Sequence, residues 1–408
     1  MRSRNVSLRL ILVLAMTMIM GGASLAQEIV VHNFNGKNGV RPVASVIFDA
    51  AGNLYGTTSG GGAYNNGMVF ELSPKAGGSW AEKLLHSFNN NGKDGLDPLG
   101  VTFDAAGNLW GTTYAGGAYG RGTVFELSPK TGGGWAEKIV HSFGNGADGS
   151  SPYAGLILDA VGNLYGTTVA GGVYGVGAVF ELSPKAGGGW GEKLLHSFSS
   201  SSEDGNSPVA GLVFDASGNL YGTTFSGGTS GGGTAFELTP AARGEWIENV
   251  LHNFGNGTDG VNPIGGLIFD GAGNLYGATN WGGVSLDGMV FELSRVGGNW
   301  QETVLHEFSG ADGAAPEYTV LVFDAAGNLY GTTAGGGTST NCFQGCGTVF
   351  ELTPAGGGSW AESVLHSFNG SDGSTPYANV IFDVAGNLYG TTFDGGAYGD
   401  GTVFQIKH

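Results

Sequence analysis

One phrase of this 408-residue chain, Phe103-Asp104-Ala105-Ala106-Gly107-Asn108-Leu109-Trp110-Gly111-Thr112-Thr113, is written seven times with minor changes. The Asn of its Gly-Asn-Leu core falls at Asn53, Asn108, Asn163, Asn219, Asn274, Asn328 and Asn387, at spacings of 55, 55, 56, 55, 54 and 59 residues. A fixed period constrains the fold more than any local motif, because each unit must bury its apolar face against a copy of itself. The 81 glycines and 12 prolines would suit a low-complexity chain, but 23 Phe, 14 Tyr and 8 Trp recur largely in step with the period. Aromatics placed in register can be buried, so the glycines read as turns and bulges of a folded array.

Each full repeat holds four strand-like runs; in the second they are Pro98 to Asp104, Asn108 to Thr113, Gly122 to Ser128 and Trp135 to Phe143, here named A to D. All are short, rich in β-branched and aromatic residues, and separated by Gly, Pro, Asn or Asp. The phrase itself spans the A-to-B turn. Its Asp can accept a backbone N–H two residues on, and its Gly supplies a positive φ before B begins. The Asp residues at 49, 104, 159, 215, 270, 324 and 383 are therefore turn-formers first.

Four antiparallel strands per unit in seven units predict an all-β, seven-bladed β-propeller. The chain ends agree. The seventh repeat stops after strand C, at Val403-Phe404-Gln405-Ile406, while the first strand-like run, Glu28 to Phe34, matches strand D and has no blade of its own. Pairing the two would close the ring and hide two sheet edges. An open solenoid would need polar capping units, which the sequence does not offer.

Residues 1–26 read as an export signal: Arg2, Arg4 and Arg9, an apolar run from Leu10 to Met20, and Ala23-Ser24-Leu25-Ala26 before Gln27. Residues 27–408 are then a single propeller domain. Removing the leader takes three arginines and no acid, moving the formal charge from -18 to -21. Such a surface repels phosphate backbones and anionic lipid, which argues against nucleic-acid and membrane partners. No sorting segment follows His408, and we expect a monomer that is secreted or periplasmic.

The only cysteines, Cys342 and Cys346, lie in an insertion of the sixth repeat; in an exported protein they imply a local disulfide. We expect no metal centre and no cofactor, since no zinc signature is present; the acidity would admit calcium, although no calcium loop is recognisable. The His of each His-x-Phe, from His32 to His366, is expected to make a blade-locking hydrogen bond to a Thr or Asp of its own blade. The Trp residues that open strand D (Trp80, Trp135, Trp190, Trp246, Trp300 and Trp360) are expected to pack between blades.

A single active site must break the sevenfold pattern. The acids outside repeated positions are Asp97, Glu203, Glu245, Asp287, Glu307, Glu317, Asp394 and Asp400. The D-to-A and B-to-C loops share one face of the disc, and that face with its channel mouth is the expected binding surface. There the candidates are Glu317 and Asp394 for acid–base work and Asn280, Trp281, Asp287, Tyr318 and Asp400 for ligand binding. Two carboxylates with an aromatic would suit a glycan-processing enzyme. Ordinary loop drift explains them as well.

The run Phe-Asp-Ala-Ala-Gly-Asn-Leu-Tyr-Gly-Thr-Thr, then Gly-Gly, then Gly-Thr-Val-Phe-Glu-Leu, resembles the GloVer tandem repeat of exported bacterial "choice-of-anchor" proteins. The resemblance spans the mature chain. Its Asp-x-x-Gly-Asn-Leu-Tyr/Trp piece is also similar to blades of bacterial sensor and NHL-type propellers, and its Gly-Gly to kelch. It implies an exported propeller and supplies no catalytic residues. The expectation is an exported, non-enzymatic propeller binding a polysaccharide or an envelope protein, multivalently where blades are equivalent. The alternative is a polysaccharide lyase or hydrolase with one site at the channel mouth.

Overall fold

The computed structural model describes residues 26–201 and 203–407; the leader assigned to residues 1–26 lies, apart from Ala26, outside them. Seven four-stranded antiparallel blades stand around a central channel. In blade 2, A is Gly95–Phe103, B is Leu109–Gly116, C is Thr123–Pro129 and D is Trp135–Ser142. In the other blades strand A is broken: a two-residue piece such as Ile47–Phe48 or Ile381–Phe382 pairs with B next to the turn, and in blades 3, 4 and 5 a second short piece (Gly149–Pro152, Gly205–Asn206, Gly260–Val261) pairs nearer the loop. A single 3-10 turn, Ala242–Gly244, is the one helical piece among the described residues.

The ring closes as the chain ends predict. Gln27–Asn33 pairs antiparallel with Thr402–Lys407, from Gln27 opposite Lys407 to Asn33 opposite Thr402, and so supplies strand D of blade 7. Phe34, just beyond, is fully buried against Val46, Leu54 and Phe70 of blade 1.

The core lies between blades rather than within them. Tyr55, Val69, Leu85 and Phe88 of blade 1 meet Val101, Leu109, Phe125 and Leu127 of blade 2. The same pattern is repeated at each junction around the ring. Trp80 stacks edge-on to Tyr389 and Trp190 to Trp110, so the strand-D tryptophans bridge neighbouring blades. The first Thr of each Gly-Thr-Thr adds a polar latch: Thr112 Oγ1 donates to the Ala154 carbonyl of blade 3 at 2.8 Å, and five other blades repeat this. Blade 5 has Ala278 in its place.

The repeated turn is tighter than the sequence suggested. Asp104 Oδ1 accepts N–H groups of Ala106 (2.8 Å) and Asn108 (2.9 Å). Its Oδ2 accepts Asn108 Nδ2 (2.8 Å) and Trp110 Nε1 (2.9 Å). Gly107 follows at φ +83, where a side chain would be strained. The Asn and the aromatic of the phrase are thus bound to its Asp. Cys342 and Cys346 are joined by a disulfide in the blade-6 insertion.

Candidate functional site

Strand A residues of all seven blades line a cavity of about 630 Å³ on the axis, within the range of ligand pockets. Most lining is small or aliphatic, such as Ala44, Gly100, Ala154 and Gly211. The exceptions cluster at the face where the D-to-A and B-to-C loops emerge. Tyr153, Glu317, Tyr318, Tyr377, Asn379 and Phe393 give that mouth its chemistry.

The aromatics form a continuous arc. Tyr114 meets Tyr153 at 5.6 Å between centroids, Tyr153 meets Tyr318 at 5.4 Å, Tyr318 meets Tyr377 at 5.7 Å, and Tyr377 meets Phe393 at 5.0 Å. Arg41 closes the arc, its guanidinium 5.2 Å over the Phe393 ring and 3.7 Å from Asp394. Tyr318 adopts φ +51, a left-handed conformation unusual for a bulky residue. That turn carries Glu317 and Tyr318 to the channel, where blades 3 and 7 present Tyr153 and Tyr377 and the remaining blades Val43, Leu99, Val209 and Ile264.

Asn280 is buried beside Glu317. With its amide oriented to satisfy both neighbours, it donates to Glu317 Oε1 at 3.3 Å and accepts from Trp281 Nε1 at 2.8 Å. Burial pushes the Glu317 carboxyl up, and the Asn280 amide only partly offsets this. Tyr377 is pushed up to about 12, first by burial and then by the charges of Glu317 and Asp394. The structure therefore brings Asn280, Trp281, Glu317 and Tyr318 together, with Asp394 across the mouth.

Two candidates stand apart from the arc. Asp287 is raised by burial and by Asp312, which places it over the blade-5 to blade-6 loop. The carbonyl of Asp400 accepts the Arg41 N–H at 2.9 Å, and its carboxylate adds to the charge felt by Asp394. Sequence reasoning missed Tyr114, Tyr153, Tyr377 and Phe393. They occupy two repeat positions, after Gly-Thr-Thr (Tyr114, Phe393) and after the loop Pro (Tyr153, Tyr377), and only the ring geometry makes them neighbours.

The histidines depart from expectation in their partners. Six of them reach the Asp of the loop leading into the following blade, while His32 meets Asn38 at that place; His252 Nε2 lies 3.1 Å from Asp259 Oδ2. At several junctions a Glu from the next strand D approaches too; Glu302 lies 3.8 Å from the same nitrogen. Burial raises Glu137, Glu248 and Glu302 to about 7, with the neighbouring Asp adding to the effect.

Comparison with solved structures finds the propeller fold. A proposed 6-phosphogluconolactonase of Bacteroides uniformis aligns with TM-score 0.51 at 12% identity, covering 78% of this chain and 83% of its own. A Dyadobacter fermentans protein of unknown function (TM-score 0.48, 10% identity, 94% and 98% covered) is also similar. So is a proposed oxidoreductase (glucose dehydrogenase) of Thermus thermophilus (TM-score 0.42, 16% identity, 94% and 100% covered). At these identities the likeness is one of fold alone. No functionally curated protein matches in sequence. The model of the Gloeobacter/Verrucomicrobia repeat matches residues 22–214 and 188–404, nearly the whole propeller, and the chain belongs to that repeat family.

Proposed function

We propose that this protein is an exported, non-enzymatic propeller that binds a carbohydrate at the mouth of its channel. The observation that carries the reading is the arc Tyr114–Tyr153–Tyr318–Tyr377–Phe393 over a cavity of about 630 Å³. Aromatic faces stack on the apolar faces of sugars, while Glu317, Asn280 and Asn379 can take up hydroxyls. Exposed tyrosines at equivalent B-to-C loop positions (Tyr64, Tyr119, Tyr174 and Tyr398) extend the aromatic surface outward, suiting a polymer rather than a monosaccharide. The acidic composition favours neutral over anionic glycans. Among the described residues no helix is long and apolar enough to cross a membrane. Cleavage before Gln27 would release the chain to the periplasm or medium.

The test is a glycan array with residues 27–408, then calorimetry on each hit. One site per chain is expected, weakened roughly tenfold by Tyr318→Ala, the equivalent of about 1.4 kcal/mol. Several equal sites, or full affinity in that variant, would move binding away from the mouth. Binding of an envelope protein in place of any glycan would replace the reading. Glu317, a carboxyl raised by burial inside the cavity, gives the enzyme alternative its one support. If a bound glycan is degraded, and Glu317→Gln abolishes this while retaining affinity, the protein is an enzyme.

A further inference from the structure

Near the outer edge of the ring, away from the channel, strand D of one blade ends beside the loop that enters the next. Three side chains converge there. His86 of blade 1 has Nε2 at 3.4 Å from Asp94 in that loop and at 4.0 Å from Glu137 on strand D of blade 2. His196, Asp204 and Glu248 repeat the set at 3.4 and 3.8 Å, and His252, Asp259 and Glu302 at 3.1 and 3.8 Å. His306 with Asp312 and Glu362, and His366 with Asp372 and Glu28, complete five groups whose ligand atoms all lie within 4.8 Å of one another.

In four of the groups the imidazole and its Asp share a hydrogen bond, but in all five one Glu oxygen is left unsatisfied by the protein. Glu28, Glu137, Glu248, Glu302 and Glu362 each bury Oε1 without a hydrogen-bond partner, as Glu192 does at the junction of His141 and Asp148; Nε2 of His86 and of His141 is likewise unpaired. Buried polar atoms are ordinarily paired, so six repeated orphans at equivalent places call for a common partner, and at five of them a His and an Asp stand close enough to share it. The junction between blades 7 and 1 shows what that partner must be like. There Asn38 stands where the loops of the five groups carry Asp. Its Nδ2 lies 3.1 Å from His32 Nε2 and donates to Glu82 Oε2 at 2.8 Å. One amide NH₂, placed among the three side chains, joins the imidazole to the carboxylate.

We propose that at the five junctions that carry the full set a divalent transition-metal ion of the zinc type fills this position, held by His Nε2, one Asp oxygen and one Glu oxygen. Zinc binds imidazole and carboxylate at about 2.0–2.2 Å in a tetrahedron, which sets ligand atoms roughly 3.3–3.5 Å apart. The His–Asp separations of 3.1–3.4 Å already match. Glu137, Glu248 and Glu302, at 3.8–4.0 Å, need to close by a few tenths of an ångström, and Glu28 and Glu362, within 4.8 Å, by more. The imidazole disfavours calcium and magnesium, which take oxygen ligands. His and Asp belong to one blade and its outgoing loop, and Glu to the next blade. Each ion is a clasp across a junction, with water in the fourth position. The junction of His141 and Asp148 pairs at 3.4 Å but is not among the five groups.

The test is calorimetric titration of chelator-stripped residues 27–408 with zinc chloride, with calcium chloride as comparison. Five equivalent zinc sites per chain are expected, undisturbed by calcium, together with a higher melting temperature. Glu302→Gln should remove one site. Asn38→Asp, which installs the third ligand at the exceptional junction, should add one. Circular dichroism checks that the first variant folds, and the second decides the matter if it does not. Zinc uptake that ignores both substitutions, that calcium displaces equally, or that is absent overturns the proposal.

Discussion

Asp104 organises its turn through four hydrogen bonds, so its carboxylate is worth more to the fold than an exposed acid elsewhere. Burial pushes its carboxyl up, but bonds from Trp110, Asn108 and Ala106 outweigh that and hold it below the usual value. Asp49, Asp215, Asp270 and Asp324 are depressed likewise by their own turns. A depressed carboxyl stabilises the native state above its unfolded pKa, near 3.9, and loses that contribution as pH falls through the lower folded value. We predict that Asp104→Ala costs about 1–3 kcal/mol at pH 7, and that the difference from the parent chain shrinks below about pH 4. Urea titrations at pH 7 and pH 3 measure both; an equal difference at the two would deny the carboxylate its role. Gly111 serves a different end. A Cβ there would sit 2.5 Å from Phe125 Cζ, so Gly111→Ala should cost about 1–3 kcal/mol by overpacking, read from the same titrations.

Single blades are not the units of stability, since their buried residues pair with those of the next blade. The Thr112 latch belongs to this scale. Replacing Thr112 by Val keeps the shape but leaves the Ala154 carbonyl without its hydroxyl donor. We expect a loss of about 1–2 kcal/mol. Ala278 occupies the same place in blade 5, so Ala278→Val serves as the control that disturbs packing without breaking a latch. Equal losses in the two variants would mean that the hydroxyl contributes nothing.

The four strands and their turn were legible in the sequence because alternating aromatics and Gly, Asn and Asp punctuation are local signals. Strand A was only half legible: in six blades its ladder with B is interrupted, because the residues in the middle line the channel instead. Glu317 and Tyr318 stood out as breaks in the period. Tyr153 and Phe393 did not, since proximity across the channel leaves no mark on a linear chain. The His86, Asp94 and Glu137 group is likewise split between two repeats, and each member alone resembled scaffold.

At the scale of the whole molecule the ring depends on one strand that travels from the far end of the chain. Gln27–Asn33 covers the open edge of Thr402–Lys407, and Phe34 fills the junction of blades 7 and 1. Losing a buried Phe costs about 3–5 kcal/mol by itself, and the bared edge adds a template for pairing with other chains. A chain starting at Asn35 should therefore melt well below the chain starting at Gln27 and should associate as concentration rises. A synthetic peptide of residues 27–34 offers the same strand in trans and should restore both the melting temperature and the monomer. Size-exclusion chromatography with thermal unfolding decides it. An unchanged, monomeric melt of the truncated chain would mean that the blade interfaces hold the ring without its clasp. Rescue by the peptide would instead show that the seventh blade is complete only when the two ends of the chain meet, so that closure is the step that makes seven weak units one cooperative fold.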